Sequence, residues 1–364
     1  MKLFRKLEAG INPAVELGRY LTEKRKFQNV PAYAADLAYQ DADGDNYTLG
    51  LMIDFVTNQG TAMVFAQEMI SRFFDTLRER REPHEPDPSA PESLLDVHLA
   101  EINEQFVDLA DGFFLEMMAL LGRRTGELHL ALGTASRESS YKPEAFSRLY
   151  QRSLYQSLRS LLRRVLSATR KLRKGVGDEL GEHLDAFVER EQTILDRFNQ
   201  ITQVKIDAAK IRIHGDYHLE QVLFTGRDFV IIDLEGEPAR TLSERRLKFS
   251  AFRDVAGMIR SFHYAIYGRY LQAVEMRPSD AEVLQPWIRP WYTYVAGAFL
   301  EGYLQTVAGA AFVPKNREAV ETLLDIFLLE KAVYEVGYEM NNRPDWIRIP
   351  LDGIEFVLQG SGAE

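Results

Sequence analysis

The chain has 364 residues, too many for a single small core and enough for two lobes. Its 46% hydrophobic and 27% charged residues are ordinary for a soluble globular protein and exclude disorder and collagen-like repeats. The formal charge of −10 disfavours nucleic acid as a partner, and the absence of cysteine excludes disulfides and thiolate metal sites.

The N-terminus MKLFRKLEAG has no apolar signal core, and together with the missing cysteines it fits a cytoplasmic protein. Leu3 and Leu7 alternate with charge in a short candidate strand. Asn12-Pro13 then reads as a helix cap followed by proline at the first helical position. That helix carries Glu16, Leu17 and Leu21 and ends near Lys24-Arg25-Lys26. Strands are expected around Tyr33–Tyr39 and Tyr47–Val56, joined by the turn-tolerant DADGDN as a hairpin. Asn58-Gln59-Gly60 leads into a helix bearing Met63, Phe65, Met69 and Phe73.

Four prolines in REPHEPDPSAPE, residues 81–92, mark an exposed loop. From Leu94 to about Ile201 the pattern is helical, with long helices ending near GRRTGELHLALG and starting near Pro143 and Lys174. Short apolar runs follow at Lys210–His214, Gln221–Thr225 and Asp228–Asp233, the last two separated by Gly226-Arg227 as a tight turn. Helices resume after Leu247 as far as Trp346, and IRIPLDGI forms a short tail. Within them Val295 to Val313 is the most membrane-like stretch. Glu301 and Gln305 in its middle make it a buried or amphipathic helix, so no membrane span is expected. The order of elements is α+β in two lobes.

The chemistry concentrates in HGDYHLEQVLFTGRDFVIIDLEGEP, residues 214–238. Phosphoryl transfer needs a carboxylate near the attacking hydroxyl and oxygen ligands for magnesium on the nucleotide. Asp216 follows a strand in a Gly-containing loop, Gln221 offers an amide oxygen five residues on, and Asp233 ends a hairpin that returns beside Gln221. Read blandly, Asp216 caps a turn. His214 and His218 read as hydrogen-bonded structural residues. Glu235 is either a further metal ligand or a group that orients the loop. Asp254 reads as a brace for the loop backbone. Arg240 and Arg245–Arg246 are either phosphate or sugar contacts or solvated partners of Glu237.

His214-Gly215-Asp216 with Gln221, Ile232-Asp233 and Glu235 resembles the aminoglycoside-phosphotransferase-like kinases. IDLEGEPAR, SERR and FRDVAGMIRSF, within residues 232–262, are similar to the maltokinases in particular. So are KLFRKLEAGINPAVELGRYL (2–21), NQG (58–60), GRRTGELHLAL (122–132) and KAVYEVGYEMNNRPDWIRIPLDGI (331–354), and the likeness covers nearly the whole chain. It implies a protein-kinase-like two-lobed fold, with an N-lobe remnant over residues 1–57 and a helical C-lobe over 58–364. It implies ATP and Mg²⁺ as cofactors, with Asp216 as catalytic base and Gln221, Asp233 and Glu235 around the metal. Lys2 would contact the nucleotide phosphates and pair with Glu16. Lys331, Tyr334, Glu335, Glu339 and Arg343 would hold the sugar.

The activity so implied is phosphorylation of maltose to maltose 1-phosphate, feeding α-glucan synthesis, with fusion to or association with trehalose synthase. Alternatives are another small-molecule kinase of the same superfamily, or a non-catalytic sugar-binding or fusion-partner fragment. The family carries two strands, a phosphate-covering loop and a cap region ahead of the lysine that Lys2 matches. The expectation is therefore a piece of a longer chain with a weakened nucleotide site. Thr61, Met63 and Glu220 also depart from the family's residues.

Overall fold

A computed structural model describes residues 1–79, 91–134 and 139–359. The expected loop at 81–92 lies almost wholly outside the described residues. Strand β1 (Lys2–Leu3) precedes helix α1 (Pro13–Arg19), which continues as a wider π-turn over Tyr20–Lys24. The Asn12 side chain accepts from the Ala14 N–H at 2.9 Å, so the predicted cap with proline behind it starts α1. Strands β2 (Tyr33–Gln40) and β3 (Asn46–Ile53) form the expected hairpin, and β1 pairs with β3 to give the order β1-β3-β2. Asp41 Oδ1 accepts from the Asp43 and Asp45 N–H groups and closes the turn.

The rest is mainly helix: α2 (Ala62–Glu79), α3 (Glu104–Ala110), α4 (Gly112–Gly133), α5 (Arg148–Leu172), α6 (Asp178–Glu189) and α7 (Glu191–Gln203). Two small antiparallel pairs interrupt it. One joins β4 (Glu144–Ala145) to β5 (Ala209–Lys210), and the other joins β6 (Val222–Phe224) to β7 (Phe229–Ile231). After them come α8 (Leu242–Arg245), α9 (Phe252–Met276), α10 (Asp280–Thr306), α11 (Arg317–Asn342) and α12 (Arg348–Gln359). The tail expected at IRIPLDGI is thus the start of a helix, because Ile349, Leu351, Ile354 and Val357 recur at helical spacing and are buried.

The core is centred on α4, α9, α10 and α11. Helices α4 and α10 touch backbone to backbone: a Cβ on Gly122 would lie 1.9 Å from the Phe299 carbonyl oxygen, and one on Gly302 2.1 Å from that of Ala119. Among the described residues no helix is long and apolar enough to cross a membrane. Glu301 inside α10 accepts from the Leu99 N–H at 2.9 Å, and this bond offsets the cost of its partial burial.

Candidate active site

Asp254 in the first turn of α9 organises the 214–216 loop. It is buried, and its two carboxylate oxygens accept from the His214 N–H at 2.7 Å and the Gly215 N–H at 2.9 Å. His129 Nε2 reaches the same carboxylate at 3.1 Å, while its Nδ1 meets the Tyr303 hydroxyl at 3.0 Å. Burial alone would raise the Asp254 pKa. The His129 hydrogen bond, the neighbouring imidazoles and the Gly215 N–H outweigh it and hold the carboxyl below its ordinary value. Gly257, one turn along α9, leaves room for the loop: a Cβ there would stand 2.6 Å from the Tyr217 carbonyl oxygen.

The loop is bonded in turn to the end of β7. His214 Nε2 donates to the Ile232 carbonyl at 2.8 Å, and the Ile232 N–H donates to the Gln221 carbonyl at 2.9 Å. A Cβ on Gly215 would lie 3.4 Å from Gly236 Cα, so the loop and the turn after β7 are in contact. The segments that carry Asp216, Gln221 and Asp233 thereby meet at one end of the hairpin. His214 is buried and structural, as its position suggested. His218 Nε2 stands 3.9 Å from Asp216, and burial depresses its pKa.

Asp233 takes a left-handed backbone with φ of 61°, uncommon for a residue bearing a Cβ. Its Oδ1 lies 2.6 Å from Lys2 Nζ, and Glu235 makes a second ion pair with the same ammonium. Partial burial pulls the Lys2 pKa down, but the two carboxylates outweigh it and raise it. The expected partner of Lys2 was Glu16. Glu16 instead accepts from Arg212 Nη1 at 2.9 Å and from Arg246 at 2.9 and 2.8 Å. Two guanidiniums, one of them fully buried, satisfy it more completely than one exposed-edge ammonium would.

Beside Asp216 opens a cavity of about 490 Å³, the size of a small-molecule site. Of the residues expected at the sugar, Lys331 and Tyr334 of α11 line it. Glu335, Glu339 and Arg343 do not. Glu335 receives two hydrogen bonds from buried Arg260, at 2.9 and 2.8 Å. Glu339 is 1% exposed and pairs with Arg343 at 2.7 Å and the Tyr264 hydroxyl at 3.0 Å. The phase of α11 turns these carboxylates into the core, where they neutralise arginine. The other lining groups include Glu237, Arg240, Phe249, Arg253, Phe327 and Glu330. Of these the sequence had marked Arg240 and, as its partner, Glu237, along with Arg245, which also lines the cavity. Arg253 adjoins the marked Asp254, but nothing in its spacing pairs it with Glu330 on a distant helix.

No family model matches the chain. It is 26% identical over 175 residues to a glucosamine kinase of Streptacidiphilus jiangxiensis, a match covering 47% of this chain and 36% of that protein. A glucosamine kinase of Mycolicibacterium smegmatis is 25% identical over 180 residues, covering 49% of this chain and 41% of the relative. The matches thus span about two fifths of the length of these relatives. Among solved structures, a glucosamine kinase superposes with a TM-score of 0.70 at 18% identity, covering 98% of this chain and 73% of that one. A glucosamine kinase in complex with glucosamine, ADP and inorganic phosphate gives 0.69 at 18% identity, covering 97% and 71%. The chain therefore has the fold of the glucosamine kinases, and its relatives in sequence are sugar kinases.

Proposed function

We propose that the chain is an ATP-dependent phosphotransferase acting on a sugar hydroxyl, built as a protein-kinase-like pair of lobes divided near residue 57. The observation that carries this reading is that the 214–216 loop, held by Asp254, is hydrogen-bonded to the hairpin end that bears Gln221 and Asp233, with Asp216 lining a cavity. In the reaction the acceptor oxygen attacks the γ-phosphorus of ATP as the bond to the β–γ bridging oxygen breaks. ADP leaves with that electron pair, and Asp216 takes the hydroxyl proton.

The carboxylates of Asp233 and Glu235 already hold one cation between them, the Lys2 ammonium. With the Gln221 amide they would offer oxygen donors of the kind Mg²⁺ commonly takes, one or two carboxylates plus phosphate oxygens. Bound there, Mg²⁺ would supply charge neutralisation for the nucleotide phosphates. Lys2 would serve the same phosphates.

Maltose is the acceptor that the sequence resemblance favours, and of its expected contacts Lys331 and Tyr334 remain at the cavity. Glucosamine is the second reading, supported by the names of the relatives. Sugar-dependent ADP release tests the common claim. Asp216→Asn is expected to lower kcat by about 10²- to 10⁴-fold. Full turnover by that variant would remove the proposal.

A further inference from the structure

The cavity beside Asp216 is lined by Arg164, Arg240, Arg245, Arg253 and Lys331, and these cations differ in how they are satisfied. Arg253 is paired with Glu330, with Nε to Oε2 at 3.2 Å and a second, shorter bond through Nη2. Arg245 donates to the carbonyls of Arg240 and Pro238, both at 2.8 Å. Arg240 differs from both. Its guanidinium is partly buried against the Phe249 ring, 5.2 Å from the centroid, and that ring also carries Arg253 at 4.8 Å. Among the described residues the Arg240 side chain donates no hydrogen bond, and neither Arg164 nor Lys331 has a carboxylate within 4.0 Å. Burial and the adjacent Arg253 depress the Arg240 pKa and outweigh the nearby carboxylates of Glu330, Glu237 and Glu244.

The acids at the cavity do not balance this. Asp254 is spent on the loop N–H groups and Glu330 on Arg253. Asp216 is assigned to the hydroxyl proton, leaving Glu237, with Glu244 acting on Arg240 from outside the cavity, against Arg240, Lys331 and the exposed Arg164. Arg164 comes from α5, which carries arginine at 148, 152, 159, 163, 164 and 170 and no acidic residue, in a chain of charge −10. Of these arginines Arg164 lines the cavity, while Arg170 is paired with Glu191 and Arg148 donates to the Thr202 and Val204 carbonyls.

Resting on the reading of this site as a sugar-kinase acceptor pocket, we infer that the acceptor is an acidic sugar, whose carboxylate or phosphate is gripped by Arg240 with Arg164 and Lys331 nearby. A planar guanidinium stationed over a ring can pair with two oxygens of such a group and discriminates against an ammonium sugar. A neutral disaccharide would leave Arg240 uncompensated.

Initial rates of ADP release on the full chain test this with maltose, glucosamine, glucuronate and glucose 6-phosphate. An acidic acceptor is expected to exceed maltose and glucosamine in kcat/KM by at least about tenfold. The order of glucuronate and glucose 6-phosphate tells which anion is used. Arg240→Gln should raise KM for that acceptor at least about tenfold with a smaller change in kcat, and Arg240→Lys should recover part of it. A neutral or amino sugar leading the panel overturns the inference and leaves the sugar-kinase reading intact. So does an Arg240→Gln loss in kcat that is equal on every acceptor, which would assign Arg240 to the transferred phosphoryl group. Should nothing be turned over, the proposed function fails instead. Calorimetry with glucuronate and glucose 6-phosphate then decides the inference alone: Arg240-dependent binding supports it, and absence of binding overturns it.

Discussion

The Glu335 carboxylate lies 2.8 Å from Arg260 Nη2, in the body of the helical core and facing away from the cavity beside Asp216. Both side chains are buried, and the pair joins α9 to α11. Removing one partner leaves the other charge without compensation, so Glu335→Ala should cost about 3–5 kcal/mol of unfolding free energy. Urea denaturation measures it. A stable variant with only a raised acceptor KM would return Glu335 to the sugar site.

Asp254 bears on catalysis through the loop it holds. Asp254→Asn keeps one acceptor oxygen but leaves one of the two loop N–H groups unpaired, at a cost of about 1–3 kcal/mol. The expected result is a fall in kcat with a smaller effect on ATP binding, read by steady-state kinetics alongside nucleotide titration. An unchanged kcat would show that the Asp216 loop keeps its shape without the brace.

Acid stability follows from the same carboxylate and from Glu16. Both pKa values lie below ordinary. For each, burial acts upward and is outweighed, by His129, His214 and the Gly215 N–H at Asp254 and by Arg246 and Arg212 at Glu16. A depressed carboxyl contributes stability that is fully present above its unfolded pKa, about 4, and is lost as pH falls through the folded value. The melting temperature should therefore hold from neutral pH down to about 5 and drop steeply below about 4. Glu16→Gln should make that acid limb shallower. An identical limb in the variant would exclude Glu16 as a source.

The contact between α4 and α10 gives a packing test. Gly302→Ala would place a methyl 2.1 Å from the Ala119 carbonyl oxygen, backbone that cannot rotate away. The helices must then separate, with an expected loss of about 2–4 kcal/mol and an intact far-ultraviolet helix signal. A neutral substitution would mean that the two helices have slack.

What the sequence made legible was what lies close along the chain. The cap at Asn12, the DADGDN hairpin and the β6–β7 turn at Gly226 each depend on a few neighbouring residues. The helical pattern around Glu335 and Glu339 placed them correctly on one face. It carried no information on whether that face meets the cavity or the core, because helix phase is set by partners such as Arg260 and Tyr264 about 75 residues away. The Glu16 partner was misread for a similar reason. Arg212 and Arg246 reach it across 196 and 230 residues, and only the folded chain shows that they arrive together.

That carboxylate has a mechanical meaning. Helix α1 is fastened on one side to the helical body through Glu16 and on the other to β2, where Arg19 reaches the Tyr33 hydroxyl at 2.6 Å and Asp36 at 2.7 Å. It works as a rivet between sheet and body. Loosening its acidic end would leave the three-stranded wall tied through Asn29, which bonds to Phe229 and Ile231, and through the Tyr20–Tyr141 stack, and would shift strain onto the lysine that stands over the hairpin carboxylates.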